Sequence, residues 1–173
     1  AGDNAEITYA ADSYQESGQG RLYTLGDSAV SRVSTTDTEE ATGGDDDITG
    51  NAAGDLIIGG VGGDTIYGDA PTQGGYDSDD LILGDNGTVD FGADPDYLNT
   101  VASSPYSTAA GAAILGGNDE ITGDYGSDTI IGGVGGDTLY GDNATAAAGA
   151  LDGEDIIVGD NAEITYAADS YQE

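Results

Sequence analysis

The sequence contains no cysteine, histidine, lysine, methionine or tryptophan, and its only basic residues are Arg21 and Arg32. Without cysteine there is no disulfide framework and no thiolate metal site, and without histidine the usual zinc and copper ligands are also missing. The same absences remove the common general bases and activated nucleophiles, and the glycine-rich stretches lack the lysine of a phosphate-binding loop. We therefore predict that the protein is not an enzyme.

Positive charge is nearly absent, because 34 acidic residues stand against two basic ones and give a formal net charge of −32 at pH 7. Nucleic-acid phosphates and anionic membrane surfaces are bound through lysine and arginine, so neither is an expected partner. No apolar run approaches the ~20 residues of a membrane span. The ligands that remain are carboxylate, amide, hydroxyl and carbonyl oxygens, which suit hard cations such as calcium and magnesium.

The peptide GDNAEITYAADSYQE occupies residues 2–16 and occurs again, unchanged, at residues 159–173. Gly2 corresponds to Gly159, a shift of 157 residues, and chance does not produce such a match. We expect the chain to be a mature piece or an excised segment that spans one complete period and the first residues of the next. Residues 159–173 are then predicted to repeat the conformation of residues 2–16.

A second duplication lies within that period. Residues 43–69 match residues 116–142, and after a variable insert the sequence DLILGDN at 80–86 matches DIIVGDN at 155–161. Because self-similarity at fixed periods is the signature of repeat architectures, the period is interpreted as two related halves.

The shortest repeat is nine residues long. Residues 59–67 (GGVGGDTIY) and 132–140 (GGVGGDTLY) both fit the pattern G-G-x-G-x-D-x-U-x, in which U is a large apolar residue. Residues 123–131 and 50–58 are near copies. Looser copies keep the aspartate at position six and the apolar residue at position eight, and they lie at 41–49, 75–83, 114–122 and 150–158.

Each nonapeptide combines a turn with a strand. Glycine adopts positive φ without steric cost, which allows a sharp turn over the first six positions, and the last three positions hold β-forming residues. Since alternate side chains of a strand face opposite ways, position eight points to one side and positions seven and nine to the other. The residues at position eight are all aliphatic and form the predicted core, namely Ile48, Ile57, Ile66, Ile82, Ile121, Ile130, Leu139 and Ile157.

This nonapeptide closely resembles that of the RTX (repeats-in-toxin) calcium-binding proteins, over roughly half of the chain. The resemblance implies an all-β fold, a parallel β-roll or β-solenoid of Gly-Asp-rich nonapeptides with hairpin and loop insertions, and several Ca²⁺ ions between its turns. Because calcium takes six to eight oxygens, neighbouring coils would share each ion. The implied ligands are carboxylates at position six and glycine carbonyls, in Asp46, Asp55, Gly59, Gly60, Gly62, Asp64, Asp80, Asp119, Asp128, Gly132, Gly133, Gly135, Asp137 and Asp155.

The repeats divide the chain into segments. We predict an inserted strand or hairpin segment at 1–40, a first β-roll half at 41–92, an inserted loop at 93–113, a second half at 114–161 and the start of the next unit at 159–173. Strands are expected in AEITY (5–9) and TVDF (88–91), and a hairpin is expected in residues 21–33. Position nine is apolar in most copies, as at Ile58, Leu83 and Ile131, so the non-repeat segments or a neighbouring chain should cover part of the roll.

These features predict a calcium-binding extracellular structural repeat protein, such as a fibre, a surface layer or an adhesin stalk. Its partners would be adjacent copies of the same repeat, in a head-to-tail fibre or tandem array, and the RTX resemblance implies a bacterial cell-surface location and a type I-like secretion route. One alternative is a secretion and folding module of a larger toxin or enzyme. Another is a surface adhesin that binds a glycan through its insertions. The simplest alternative is that the aspartates only form solvated turns.

Overall fold

The structure is a computed structural model that describes residues 5–9, 24–25, 28–36, 43–69, 78–91, 98–104, 116–142 and 153–166. All regular elements in these residues are strands. No helix that is long and apolar enough to cross a membrane occurs among them. The strands are β1 (Ala5–Tyr9), β2 (Thr24–Leu25), β3 (Ser28–Thr35), β4 (Asp47–Thr49), β5 (Leu56–Gly60), β6 (Thr65–Tyr67), β7 (Leu81–Asp85), β8 (Gly87–Asp90), β9 (Thr100–Ser103), β10 (Glu120–Asp124), β11 (Thr129–Gly133), β12 (Thr138–Asp142), β13 (Ile156–Asp160) and β14 (Glu163–Thr165).

The nonapeptide strands form two parallel sheets of four strands each. The first parallel sheet has the order β4-β6-β10-β12, and the second has the order β5-β7-β11-β13. The chain therefore alternates between the sheets from one nonapeptide to the next. Position-eight residues pair in register, for example Ile121 with Leu139 in the first parallel sheet and Ile130 with Ile157 in the second.

The position-eight side chains fill the space between the two parallel sheets. Five isoleucines from both sheets form one buried cluster, and Ile48 and Leu139 pack against it partly buried. The core prediction is thus confirmed for these residues. It is wrong for Ile157, which is 45% exposed, because no strand among the described residues lies beyond β13 in its sheet. The five buried members are Ile57, Ile66, Ile82, Ile121 and Ile130.

The non-repeat segments form a third sheet, which is antiparallel and has the order β1-β3-β8-β9-β14, with β2 also paired to β3. The predicted strands at 5–9 and 88–91 correspond to β1 and β8. The predicted hairpin is confirmed as well, since Thr24 of β2 pairs with Ala29 of β3.

The antiparallel sheet covers the outer face of the second parallel sheet. A second buried cluster joins Ile58, Leu83 and Ile131 at position nine to residues of the antiparallel sheet, including Val89 and Val101. The expectation that non-repeat segments cover part of the repeat is therefore confirmed for this face. The first parallel sheet differs, because its position-nine residue Tyr140 is 38% exposed.

The prediction of a parallel β-roll with hairpin and loop insertions is wrong. The chain has three sheets, two parallel and one antiparallel, and the antiparallel sheet contains six strands. The physical reason is the apolar outer face of the second parallel sheet, which is buried only if an extended surface packs on it. Within the segment predicted as a loop, β9 is a strand of that sheet, while 93–97 and 105–113 lie outside the described residues.

The duplicated peptide forms a strand at both of its occurrences. Residues 6–8 lie within β1, and the equivalent residues 163–165 form β14. Both strands pair antiparallel with a neighbour in the same sheet. The predicted identity of conformation also concerns residues 2–4, 10–16 and 167–173, which lie outside the described residues.

Candidate metal centre

The eight predicted carboxylates stand in two columns. Each position-six aspartate immediately precedes a parallel strand, as Asp80 precedes β7 and Asp119 precedes β10. Since the strands stack in register, their aspartates stack with them. The first column is Asp46, Asp64, Asp119 and Asp137, and the second column is Asp55, Asp80, Asp128 and Asp155.

A ladder of hydrogen bonds runs along each column. The backbone N–H of one aspartate donates to Oδ1 of the aspartate before the next strand, as Asp55 does to Asp80 at 2.7 Å and Asp80 does to Asp128 at 2.8 Å. Each bond ties one carboxylate oxygen of the accepting aspartate to the backbone of the neighbouring strand's turn. The other bonds are Asp128 to Asp155 at 3.0 Å, Asp46 to Asp64 at 2.8 Å, Asp64 to Asp119 at 2.8 Å and Asp119 to Asp137 at 3.1 Å.

The second carboxylate oxygen of each aspartate, Oδ2, takes no part in the hydrogen-bond ladder. In six of the aspartates Oδ2 is buried and accepts no hydrogen bond. A buried carboxylate oxygen without a partner carries a desolvation cost, which a hydrogen-bond donor or a cation normally offsets. The six residues are Asp46, Asp55, Asp80, Asp119, Asp128 and Asp137.

The glycine that directly follows each of six nonapeptides leaves room for these oxygens. A Cβ added at Gly84 would overlap Asp119 Oδ2 and would lie 2.6 Å from the Gly132 carbonyl oxygen. A Cβ at Gly132 would meet Asp137 Oδ2 and the Gly159 carbonyl oxygen in the same way. Each such space is thus bordered by one carboxylate oxygen and by a carbonyl oxygen of the neighbouring strand. The same arrangement occurs at Gly50, Gly59, Gly68 and Gly123.

Replacing Gly84 by alanine should destabilise the protein by about 1–3 kcal/mol, the usual cost of overpacking a tight site. Gly44→Ala is a matched control, because a Cβ there would meet no atom within 4 Å and should change stability by less than about 0.5 kcal/mol. Urea unfolding of both variants in calcium measures the difference. Equal midpoints for the two variants would show that the space beside Asp119 is not constrained.

The predicted glycine ligands shape the turns beside the columns. Gly60 and Gly62 have φ of 119° and 143°, and the equivalent Gly133 and Gly135 have φ of 111° and 143°. Only glycine adopts this backbone region freely, so both complete nonapeptides make the same turn. Gly59 and Gly132 lie directly against the Oδ2 atoms of Asp64 and Asp137. The predicted aspartates therefore lie directly before the parallel strands, whereas Gly59, Gly60, Gly132 and Gly133 are the last residues of β5 and β11, and Gly62 and Gly135 lie in the turns that follow.

Buried aspartates that directly follow these glycines were not predicted as site residues. Asp69, Asp85 and Asp124 are each at most 2% exposed. Asp85 accepts hydrogen bonds from the backbone N–H groups of Gly117, at 3.0 Å, and Val134, so it joins two glycine turns. The sequence signal was the replacement of the second glycine by aspartate in the GD dipeptides.

Burial shifts the acidity of these groups. Desolvation, followed by the negative charges of Asp128, Asp69 and Asp55, raises the pKa of Asp80 to about 8, although the Asp55 N–H donor opposes the shift. Desolvation likewise raises the pKa of Asp85 to about 8. It raises the pKa of Asp119 and of Asp128 to about 7. Without a cation, the folded chain therefore favours the protonated acids.

The metal-free protein should be more stable at pH 5 than at pH 8. Because the folded pKa values of Asp80, Asp119 and Asp128 lie above the ordinary aspartate value, folding takes up protons and stability falls with rising pH. The contribution is complete below about pH 4 and is lost as the pH rises through 7–8. Urea unfolding of dialysed, metal-free protein at the two pH values tests this, with the transition at pH 8 expected at lower urea or already complete without urea. A higher midpoint at pH 8 would contradict it.

The oxygens of the columns fit a hard cation whose shell also contains backbone carbonyls. Within the described residues, no group of three or more acidic side chains converges tightly enough to hold a metal by itself. A calcium ion here would therefore take carboxylate oxygens from aspartates such as Asp119 and Asp137, and carbonyl oxygens from glycines such as Gly132 and Gly159. In comparisons with known proteins, no protein-family model, no curated protein and no solved structure matches this chain.

Proposed function

We propose that this chain is a calcium-binding structural repeat unit of an extracellular fibre, surface layer or adhesin stalk, similar in its metal sites to RTX proteins. The proposal rests on the buried Oδ2 atoms that accept no hydrogen bond, which occur in both aspartate columns. Oδ1 of four of these side chains, Asp80, Asp119, Asp128 and Asp137, already accepts a backbone N–H, so the turns do not need their Oδ2. An aspartate that served only to form a solvated turn would not bury that oxygen.

A bound cation would offset the electrostatic repulsion between stacked aspartates. Strands in a sheet lie ~4.8 Å apart, so ionised neighbours in a column would repel each other by ~3 kcal/mol at an effective dielectric constant near 20. Only two positive side chains, Arg21 and Arg32, stand against 34 acidic ones, so the chain cannot compensate this repulsion itself. Divalent ions bound between strands would convert this repulsion into attraction and would stiffen the stack.

Calcium suits this site better than magnesium. Magnesium demands near-ideal octahedral geometry and keeps several waters, whereas calcium accepts irregular sets of six to eight oxygens that include backbone carbonyls. Calcium sites of extracellular modules bind at about 10⁻⁴–10⁻³ M, and we expect affinities of that class here. An extracellular location is therefore part of the proposal.

Calorimetric titration of metal-free protein at pH 7.5 tests the proposal. We expect saturable binding of several calcium ions per chain, retained in ~0.15 M salt because buried charges are little screened. Magnesium should bind at least about tenfold more weakly, for the geometric reason given above. Equal heats for the two ions, both abolished by salt, would indicate a diffuse counterion atmosphere and would reject the calcium sites.

The proposed partners are further copies of the same repeat, in a tandem or head-to-tail array. The support is the unchanged fifteen-residue peptide at 2–16 and 159–173, which marks a period of 157 residues. A repeated unit that contacts only its neighbours gains stability mainly from those contacts.

A further inference from the structure

The two copies of the duplicated peptide lie at opposite edges of one sheet. In the order β1-β3-β8-β9-β14, the first and last strands have the same sequence. Every neighbouring pair along this order is antiparallel, so β1 and β14 run in the same direction. A shift along the sheet by one period therefore superimposes β1 on β14 in sequence and in direction.

All three sheets advance by the same number of strands per period. From β1 to its copy β14 the antiparallel sheet advances four strands, and each parallel sheet contains four strands. With a common separation of ~4.8 Å, one period rises by ~19 Å in every sheet. If the three sheets advanced by different numbers of strands per period, they could not all continue into a next unit.

Among the described residues, every exposed large apolar side chain lies on an edge strand of its sheet, Tyr140 on β12 included. Ile7 on β1 is 50% exposed, whereas Ile164, the same residue of the next copy, packs partly buried against the core of the antiparallel sheet. At the other end, Ile156 and Ile157 on β13 are 46% and 45% exposed. A preceding unit would cover Ile7, and a following unit would cover Ile156 and Ile157.

The hydrogen-bond ladders end in complementary groups. Among the described residues, the backbone N–H groups of Asp137 and Asp155 donate to no carboxylate, although every earlier aspartate of their columns does. At the opposite end, Oδ1 of Asp46 and Oδ1 of Asp55 accept from no aspartate. Donors at one end thus match acceptors at the other end, column by column.

We propose that successive units share one strand, an inference that rests on the proposed repeat array. β14 of one unit is β1 of the next, and all three sheets continue through the junction. Ile164 then pairs with Val101 of its own unit and with the next unit's Val33, as the pairings of Ile164 and Ile7 require. Ile157 lies beside the next unit's Ile57. The Asp155 N–H donates to Oδ1 of the next unit's Asp55.

A two-period chain tests the shared strand, built as residues 1–173 followed directly by a second copy of residues 17–173. Because the sequence has no cysteine, introduced thiols report single pairs. Neighbouring strands place their Cα atoms within the 4.4–6.8 Å that a disulfide tolerates. The junction pair is Ile157→Cys in the first copy with Ile57→Cys in the second. The internal control is Ile130→Cys with Ile157→Cys, both in the first copy, which pair in register within one unit.

We expect the junction pair and the internal pair to oxidise to a similar extent. A crossed pair, Ile157→Cys in the first copy with Ile48→Cys in the second, should stay reduced, because these residues lie in different parallel sheets. A junction pair that stays reduced while the internal pair oxidises would overturn the proposal. Small-angle scattering is a second, independent measurement. The maximum dimension of the protein should grow by ~19 Å per added period. A clearly larger growth would indicate units joined by linkers and would also overturn it.

Oxidation is measured both with calcium and, without it, at pH 5, where the buried acids are predicted to be neutral. Junction oxidation in both conditions, combined with no calcium binding by calorimetry, would retain the shared strand and reject the calcium function. Calcium binding combined with a junction pair that stays reduced would retain the calcium function and reject the shared strand.

Discussion

Removing calcium at pH 8 should unfold the parallel sheets, and restoring calcium should refold them. At that pH the carboxyls of Asp119 and Asp128, with pKa values of about 7, are largely ionised, and Asp80, at about 8, is half ionised. Six hydrogen-bonded aspartate pairs stack in the two columns. At ~3 kcal/mol of repulsion per fully ionised pair, a few pairs equal the ~5–15 kcal/mol stability of an ordinary domain.

Far-UV circular dichroism with EDTA and then with excess calcium measures this effect. We expect loss of most β-signal on chelation and full recovery on adding calcium, with no recovery at the same concentration of magnesium. Chelation that leaves the β-signal and the urea midpoint unchanged at pH 8 would contradict a structural role for the metal.

Asp80→Asn should have opposite effects on the metal-free and the calcium-loaded protein. The asparagine Oδ1 still accepts the Asp55 N–H, but the charge on a side chain that is 1% exposed is gone. The metal-free variant should therefore be more stable than wild type at pH 8, where the wild-type acid carries a cost. In calcium the order should reverse, because a neutral amide is a weaker calcium ligand, and the calcium midpoint should rise by about tenfold or more.

Asp79→Asn is the matched control for this experiment. Asp79 is the adjacent residue, is exposed, and its Oδ1 accepts the Ser127 N–H, which an asparagine would also do. Exposed charges contribute little, so both the urea midpoint and the calcium midpoint should stay near wild type. If Asp79→Asn and Asp80→Asn shifted the calcium midpoint equally, net charge rather than the aspartate column would explain the binding.

The parallel pairing of the nonapeptide strands and the place of the aspartates beside them follow from a strict local period, which the sequence shows directly. Position eight is aliphatic in every nonapeptide, and alternation in a strand sends it to one side, where the structure places Ile66, Ile82 and Ile130. The aspartate at position six keeps its place beside each strand for the same reason. A repeat of turn and strand leaves little choice of register.

The antiparallel sheet could not be predicted from the periodicity of the sequence. Its strands come from segments far apart in the sequence, and β9 in particular gains its order from pairing with β8 and β14. Such non-local pairing is decided by packing against the outer face of the second parallel sheet, around Leu83 and Val101, and not by local composition. The buried Asp85 was missed for a related reason, since its donors Gly117 and Val134 lie more than thirty residues away.

The most direct test of the calcium columns is anomalous diffraction from crystals grown in calcium, recorded at a wavelength where calcium scatters anomalously. The account predicts peaks beside the Oδ2 atoms of Asp80 and Asp128, repeated along each column at ~4.8 Å, the separation of the strands. Intact hydrogen-bond ladders with no anomalous peak at any Oδ2 would contradict it.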